Sequence, residues 1–259
     1  MKKLLNFPFN WLKKKFKYYG GVLALIFYSF IAYFSNKLGR KRINRVLITQ
    51  IFFTGNQALK IITIVSFALG AITILQLFTQ LSQIGALEFV GKILNIVIVR
   101  ELGPVITSFI VLSRSGTAIA AEIGTMMVND EINALEMLGI DTLRYIVFPR
   151  IAGMVISVFF LTIYFNAIGI LGGMLVGAIY NISFEMFSSY VLNAINYFDI
   201  FMSLFKGVVF GLFISAISIY YGFQAFTSTQ VPQVTTKAVV SSIFALFGLD
   251  LFITLVSYM

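Results

Sequence analysis

Long apolar runs broken by short charged clusters organise this chain. Between Lys60 and Glu88 lie 27 uncharged residues, between Arg150 and Glu185 there are 34, and between Lys206 and Lys237 there are 30. Beyond Lys237 only Asp250 carries a charge. A helix needs about 20 mostly apolar residues to cross a bilayer, so each run predicts a span. With the charged but still greasy segment around 94–121, five spans are expected: about 61–84, 94–121, 151–177, 201–221 and 238–257.

A sixth apolar stretch, Tyr18 to Asn36, is long enough to cross but is flanked by lysines and arginines on both sides. Crossing would put one basic cluster outside, against the positive-inside bias. Lying in the interface keeps both at headgroups of one leaflet, and that placement is expected over a span. The segments then assigned to the outside, near 85–93 and 178–200, carry Lys92 as their one positive charge. The N-terminus is therefore expected inside and the C-terminus outside.

Composition narrows the class. The chain is 59% hydrophobic and 11% charged, with a mean hydropathy of +0.94. A soluble domain carries about 25% charged residues. The absence of cysteine and histidine excludes disulfides, thiol chemistry, a typical zinc site and histidine acid–base catalysis. Residues 1–45 hold eleven Lys/Arg and no acid. Beside membrane spans such an arm points to an anionic lipid surface, with no nucleic acid expected. The chain divides into this basic arm with its interfacial helix, 1–45, and a membrane domain, 46–259.

The second span is the anomaly. It carries Arg100, Glu101, Arg114 and Glu122, and each ionisable group at that depth costs a few kcal/mol unless it faces a cavity or a partner. Arg114, Ala118 and Glu122 recur every four residues on one face, while Gly116, Ala120 and Gly124 form a small-residue stripe suited to close helix packing. Pro104 is expected to kink the helix beside Arg100 and Glu101. Those two either sit solvated at the membrane boundary or line a polar cavity open to the outside. Gly169, Gly173 and Gly177 form another small-residue stripe, read as bundle packing. Asp250, mid-span in the fifth, bonds to neighbouring helices or joins the polar path.

Residues 129–150 read as the most soluble part of the chain. Ile132, Leu135 and Leu138 recur at helical spacing, with Asp130, Glu131 and Glu136 on other faces. Gly139 supplies a helix stop, Asp141 a fresh N-cap and Pro149 a second break. The expected product is a short amphipathic helix, a turn and another short helix, either an ordinary surface loop or a docking element for a cytosolic partner. The expected fold is thus an all-α integral membrane protein: an N-terminal interfacial helix, then five transmembrane helices, with a cytosolic-side helix between the second and third.

The stretch GALEFVGKI, from Gly85 to Ile93, has the flavour of a phosphate loop. It has five residues between its glycines where that loop needs four, and Ile93 in place of the Ser or Thr after the lysine. No nucleotide site is expected.

The run from Arg100 to Arg150, RELGPVITSFIVLSRSGTAIAAEIGTMMVNDEINALEMLGIDTLRYIVFPR, resembles the MlaE/YrbE family of ABC-transporter permeases. GILGGMLVG (Gly169–Gly177) and TTKAVVSSIFALFGLDLFIT (Thr235–Thr254) follow in the family's order, and the resemblance extends from about residue 45 onward. It implies a homodimer working with a separate ATPase, which binds the ATP, and with an MCE-domain lipid-binding protein, moving phospholipids or other polar lipids between membranes. No cofactor is implied for this chain. It assigns Arg100, Glu101, Lys206 and Lys237 as lipid-pocket candidates. Glu131, Leu135, Glu136, Leu138 and Gly139 fall on the ATPase-coupling segment. The alternative is an ion- or proton-coupled carrier with Arg100, Glu101, Arg114 and Glu122 as a relay; a lipid-modifying enzyme lacks its catalytic groups. Lysine, phenylalanine, isoleucine and asparagine usage fits an AT-rich genome, and the family includes plastid-encoded members. A plastid inner envelope is therefore expected over a bacterial inner membrane.

Overall fold

The computed structural model describes residues 2–35, 40–83, 85–179 and 184–258, with side chains described from Tyr18 onward save Arg40, Glu88, Phe184 and Met186. The basic side chains between Lys2 and Lys17, and Lys37, lie outside the described set. Every regular element among the described residues is helical. Helix α1 is Lys2–Ser35 and α2 is Arg40–Gln83. Then comes one continuous rod, Val90–Val128. Along it α3 (Val90–Leu94), α4 (Gly103–Val111) and α5 (Thr117–Val128) are joined by π-helical turns at Asn95–Leu102 and Leu112–Gly116. The short α6 (Glu131–Met137) and a third π turn, Leu143–Val147, lead into α7 (Phe148–Ile179). The chain ends with α8 (Phe184–Ala194), α9 (Tyr197–Gly222) and α10 (Val231–Tyr258). Among the described residues six helices are long and apolar enough to cross a membrane, α1 among them.

Packing registers settle the direction of each span. Ser157 donates to the Ile51 carbonyl, Thr63 meets Tyr164, and Gly172 meets Phe67, so α2 and α7 run parallel. Gly211 lies against Val155 while Gly207 lies against Thr162, so α9 runs opposite to α7. Gly116 faces Ile214 and Ser218 while Gly222 faces Ile123, so α5 and α9 run together. Ser241 bonds to Tyr221 and Lys206 to Thr254, so α10 opposes α9. These are five alternating spans in chain order.

Helix α1 does not add a sixth level. Tyr18 packs on Tyr220 and Tyr221, at the end of α9, and Val22 packs on Ala216 and Ile217. Some 15 residues further on, Tyr33 stacks on Phe148 with centroids 4.0 Å apart, at the start of α7. The last turns of α9 and the first of α7 belong to the same end of the bundle, the one that the charge pattern assigns to the inside and that is called inner below. Residues 18–33 therefore lie across that end, as the charge argument expects, although their length and apolarity alone would permit a span.

Three sequence expectations change. Helix α2 begins at Arg40, not near 61, because no proline interrupts it, Gly55 and Asn56 are carried within the helix, and Lys60 is simply exposed on its surface. It runs through residues 45 and 46 without interruption. The outer 178–200 segment, expected to be only a connection, contains α8, whose Phe187 and Val191 are buried; Gly91 meets the Tyr190 carbonyl. Pro149 does not break the helix: it follows directly on the π turn Leu143–Val147, whose widened ring absorbs the missing N–H as at Pro104.

Candidate functional site

The charged part of the second span is not α-helical. Asn95–Leu102 forms π turns, and the Gly103 N–H reaches back to the Ile98 carbonyl, five residues away. Pro104 follows directly, at the start of α4. Its absent N–H is absorbed by the widened turn, so the predicted kink takes the form of a π stretch, a feature frequent at functional sites. The widened turn aims both Arg100 and Glu101 at the outer halves of α9 and α10.

There they enter a cluster of two cations and three carboxylates. Arg100 Nη1 donates to Asp199 Oδ1 at 3.1 Å and Nη2 to Ser257 Oγ at 2.6 Å. The Tyr258 ring lies 4.2 Å from the guanidinium carbon, giving a cation–π contact. Lys206, only 1% exposed, donates to Glu101 Oε2 at 2.6 Å and to Thr254 Oγ1 at 2.8 Å, and is ion-paired with Asp250 at 2.8 Å. Asn95 donates to the other Asp199 oxygen at 2.9 Å. Lone charges here would each cost several kcal/mol; mutual pairing with hydrogen bonds to the remaining lone pairs offsets most of that. Arg100 Nε, 3.7 Å from Glu101 Oε1, is buried with no hydrogen bond among the described residues.

Arg100 and Asp199 also form a wall of a cavity of about 1020 Å³ at the outer end of the bundle. Lys92, Tyr190, Phe198 and Tyr258 line it as well, while Lys206, Glu101 and Asp250 stand behind the wall. Cations beside aromatic and aliphatic walls suit an amphiphile with an anionic group.

Of the sequence candidates, Arg100, Glu101 and Lys206 come together. Lys237 does not: it is exposed near the inner start of α10, 17 residues and about 25 Å along the helix from Thr254. Asp250 bonds to a neighbouring helix and is part of the same cluster. Asp199 escaped sequence reasoning because an acid in a helix's first turn reads as an ordinary dipole partner. Its proximity to Arg100 depends on how α9 packs.

The other charges of the second span separate. Glu122 closes on Arg150 at 2.7 Å, at the inner end, while Arg114 is exposed within the second π stretch. Gly116, Ala120 and Gly124 are buried against α9, Ala225 and Val231. Gly169 and Gly173 pack on α2, where a Cβ on Gly70 would fall on the Gly169 carbonyl; Gly177 is buried on the same helix.

The segment after the second span also differs in detail from its expected face. Gly139 ends α6 with φ +73°, and Asp141 Oδ1 accepts from the Leu143 N–H at 3.0 Å, the stop and cap that the pattern predicts. But Ile132 is buried and Leu135 half-buried, so they hold the segment to the bundle rather than presenting a docking face. Met137 at 83% and Leu138 at 76% are the apolar groups displayed, beside Glu131; Glu136 accepts from Thr142 at 2.9 Å.

The family described as Permease MlaE matches residues 47–256. The chain is 32% identical over 231 residues to the intermembrane phospholipid transport system permease protein MlaE of Haemophilus influenzae, covering 87% of this chain and 88% of that one. It is 33% identical to a probable ABC transporter permease protein of Rickettsia felis, over 92% of this chain and 93% of the relative. It is 32% identical to the chloroplastic protein TRIGALACTOSYLDIACYLGLYCEROL 1 of Arabidopsis thaliana, over 80% of this chain and 59% of the relative. The chain is an ABC-transporter membrane subunit, and it belongs to the MlaE permease family.

Proposed function

We propose that this chain is the permease of an ABC system that moves phospholipids or other polar lipids between membranes, and that the outer cavity receives the lipid headgroup. The observation that carries the reading is the placement of Arg100 in the wall of a large cavity whose lining, Asp199, Lys92 and two asparagines aside, is aromatic and aliphatic. Lys92 adds a second cation on the same lining. A phosphate there gains charge-assisted bonds while acyl chains keep apolar contact.

The protein works as a homodimer. A separate ATPase subunit binds ATP and docks on the Met137–Leu138 knobs, and an MCE-domain protein takes or delivers lipid at the outer mouth. The membrane is the plastid inner envelope, with a bacterial inner membrane as the alternative setting; relatives come from both bacteria and a chloroplast. The carrier reading is weaker. A relay through Arg100, Glu101, Arg114 and Glu122 has no continuous path, since Glu122 is committed to Arg150 some 21 residues from Glu101 and Arg114 has no carboxylate partner among the described residues.

The test is mass spectrometry of lipids that co-purify with the chain and a co-expressed ATPase. Wild type is expected to retain phospholipid, and Arg100→Glu to lose it while still capturing the ATPase. Equal lipid retention by the variant removes Arg100 from the headgroup site.

A further inference from the structure

A second cavity, of about 450 Å³, lies at the opposite, inner end of the bundle. One wall is a corner made by the last residues of α1, Ala32 and Ser35, and the first turn of α2, Arg42 and Ile43, the two helices tied by a 3.0 Å bond from the Tyr33 hydroxyl to the Asn44 side-chain oxygen. The other is the turn after α6, which carries Gly139, Ile140 and Asp141. Two guanidiniums, Arg42 and Arg144, line the cavity, with the Tyr145 ring beside them and Ile43, Leu135 and Ile140 as apolar floor. Asp141 is the one acid on the lining among the described residues, and its Oδ1 is engaged by the backbone N–H groups of Leu143 and Arg144. The lining thus keeps a net positive charge.

Position matters as much as charge. The stacked Tyr33–Phe148 pair and the course of α1 across the ends of α7 and α9 place this cavity at the end of the bundle where the charge pattern puts inner-leaflet headgroups. Arginine pairs, a tyrosine and an apolar floor at that depth match a lipid phosphate with its glycerol and first methylenes. We infer that this cavity is a resident site for an anionic phospholipid of the surrounding membrane, separate from the outer transport cavity. The bound lipid bridges the α1–α2 corner to the turn that follows Met137 and Leu138. It thereby braces the segment that displays those knobs.

The test places a reporter in the cavity. The chain's one tryptophan, Trp11, is replaced (Trp11→Phe) and Tyr145→Trp introduced, with Ile140→Trp as a second reporter in case the first disturbs packing. Each protein is reconstituted in phosphatidylcholine vesicles containing brominated phosphatidylglycerol or, in parallel, brominated phosphatidylcholine. Both lipids present a phosphate, but phosphatidylcholine also brings a choline cation that the positively charged lining repels, so quenching is expected to show about tenfold preference for phosphatidylglycerol. Adding Arg42→Gln or Arg144→Gln is expected to bring the preference near parity, and 1 M salt to weaken it. Equal quenching by the two lipids in both reporters overturns the site. So does inorganic phosphate displacing brominated phosphatidylglycerol at millimolar concentration, which would make the ligand a soluble anion. An Arg42 requirement seen only in ATPase capture, with no lipid preference, assigns the cavity to the protein partner instead. Because the reporters sit at the inner end, none of these outcomes depends on Arg100.

Discussion

Lys206 on α9 donates to Glu101 on the π stretch at 2.6 Å, and almost none of its surface reaches solvent. A cation so enclosed is held by the carboxylates around it, and they in turn by it. Lys206→Met is expected to leave Glu101 and Asp250 mutually repelling and to destabilise the protein by about 3–5 kcal/mol. Neutralising both acids as well (Glu101→Gln, Asp250→Asn) is expected to restore most of the thermal stability in detergent without restoring lipid transport. A triple variant no more stable than the single one would show that the ion cluster is not what holds this region together.

Gly70→Ala tests the α2–α7 contact. The added methyl would coincide with the Gly169 carbonyl, so one helix must move. A loss of at least 1–3 kcal/mol is expected, the cost of overpacking. Gly55→Ala on the same helix meets open space and is expected to be neutral to stabilising, by up to about 1 kcal/mol. Thermal unfolding of the two variants side by side decides it.

The segment after the second span separates docking from anchoring. Leu138→Asp and Met137→Asp are expected to abolish capture of the ATPase with unchanged thermal stability, because both side chains are displayed. Leu135→Asp is expected to lower stability instead, because it packs against the core. Pull-down and melting curves that ranked the three alike would put the docking surface elsewhere.

Lys237→Gln is expected to leave lipid retained at the outer cavity unchanged, about 25 Å away along α10. Mass spectrometry showing lipid loss as deep as in Arg100→Glu would demand a path linking the two ends.

The course of α1 can be read by labelling. The chain has no cysteine, so Tyr19→Cys and Ser35→Cys each provide a single thiol. Both are expected to react with a membrane-impermeant maleimide from the inner side only. Labelling from opposite sides would make α1 a true span.

Five spans, their alternation and the unusual second helix were legible in the residues alone. Hydrocarbon tolerates few charges and the basic loops stay inside, so uncharged runs and lysine counts carry that information locally. The stop at Gly139 and the cap at Asp141 were legible for the same reason, since a left-handed turn and an orphan amide are satisfied by neighbours in sequence. Tertiary structure alone decided which charges meet. Asp199, Thr254 and Ser257 join Arg100, Glu101 and Lys206 across 48 to 157 residues of chain, and Lys237, on the same helix as Asp250, does not. Helix rotation and register set those distances, and both follow from small-residue contacts such as Gly70 on Gly169, whose partner on α2 no periodicity on α7 reveals. Likewise Leu135 and Leu138 share a spacing but not a fate: only the packed bundle determines that one faces the core and the other the open surface.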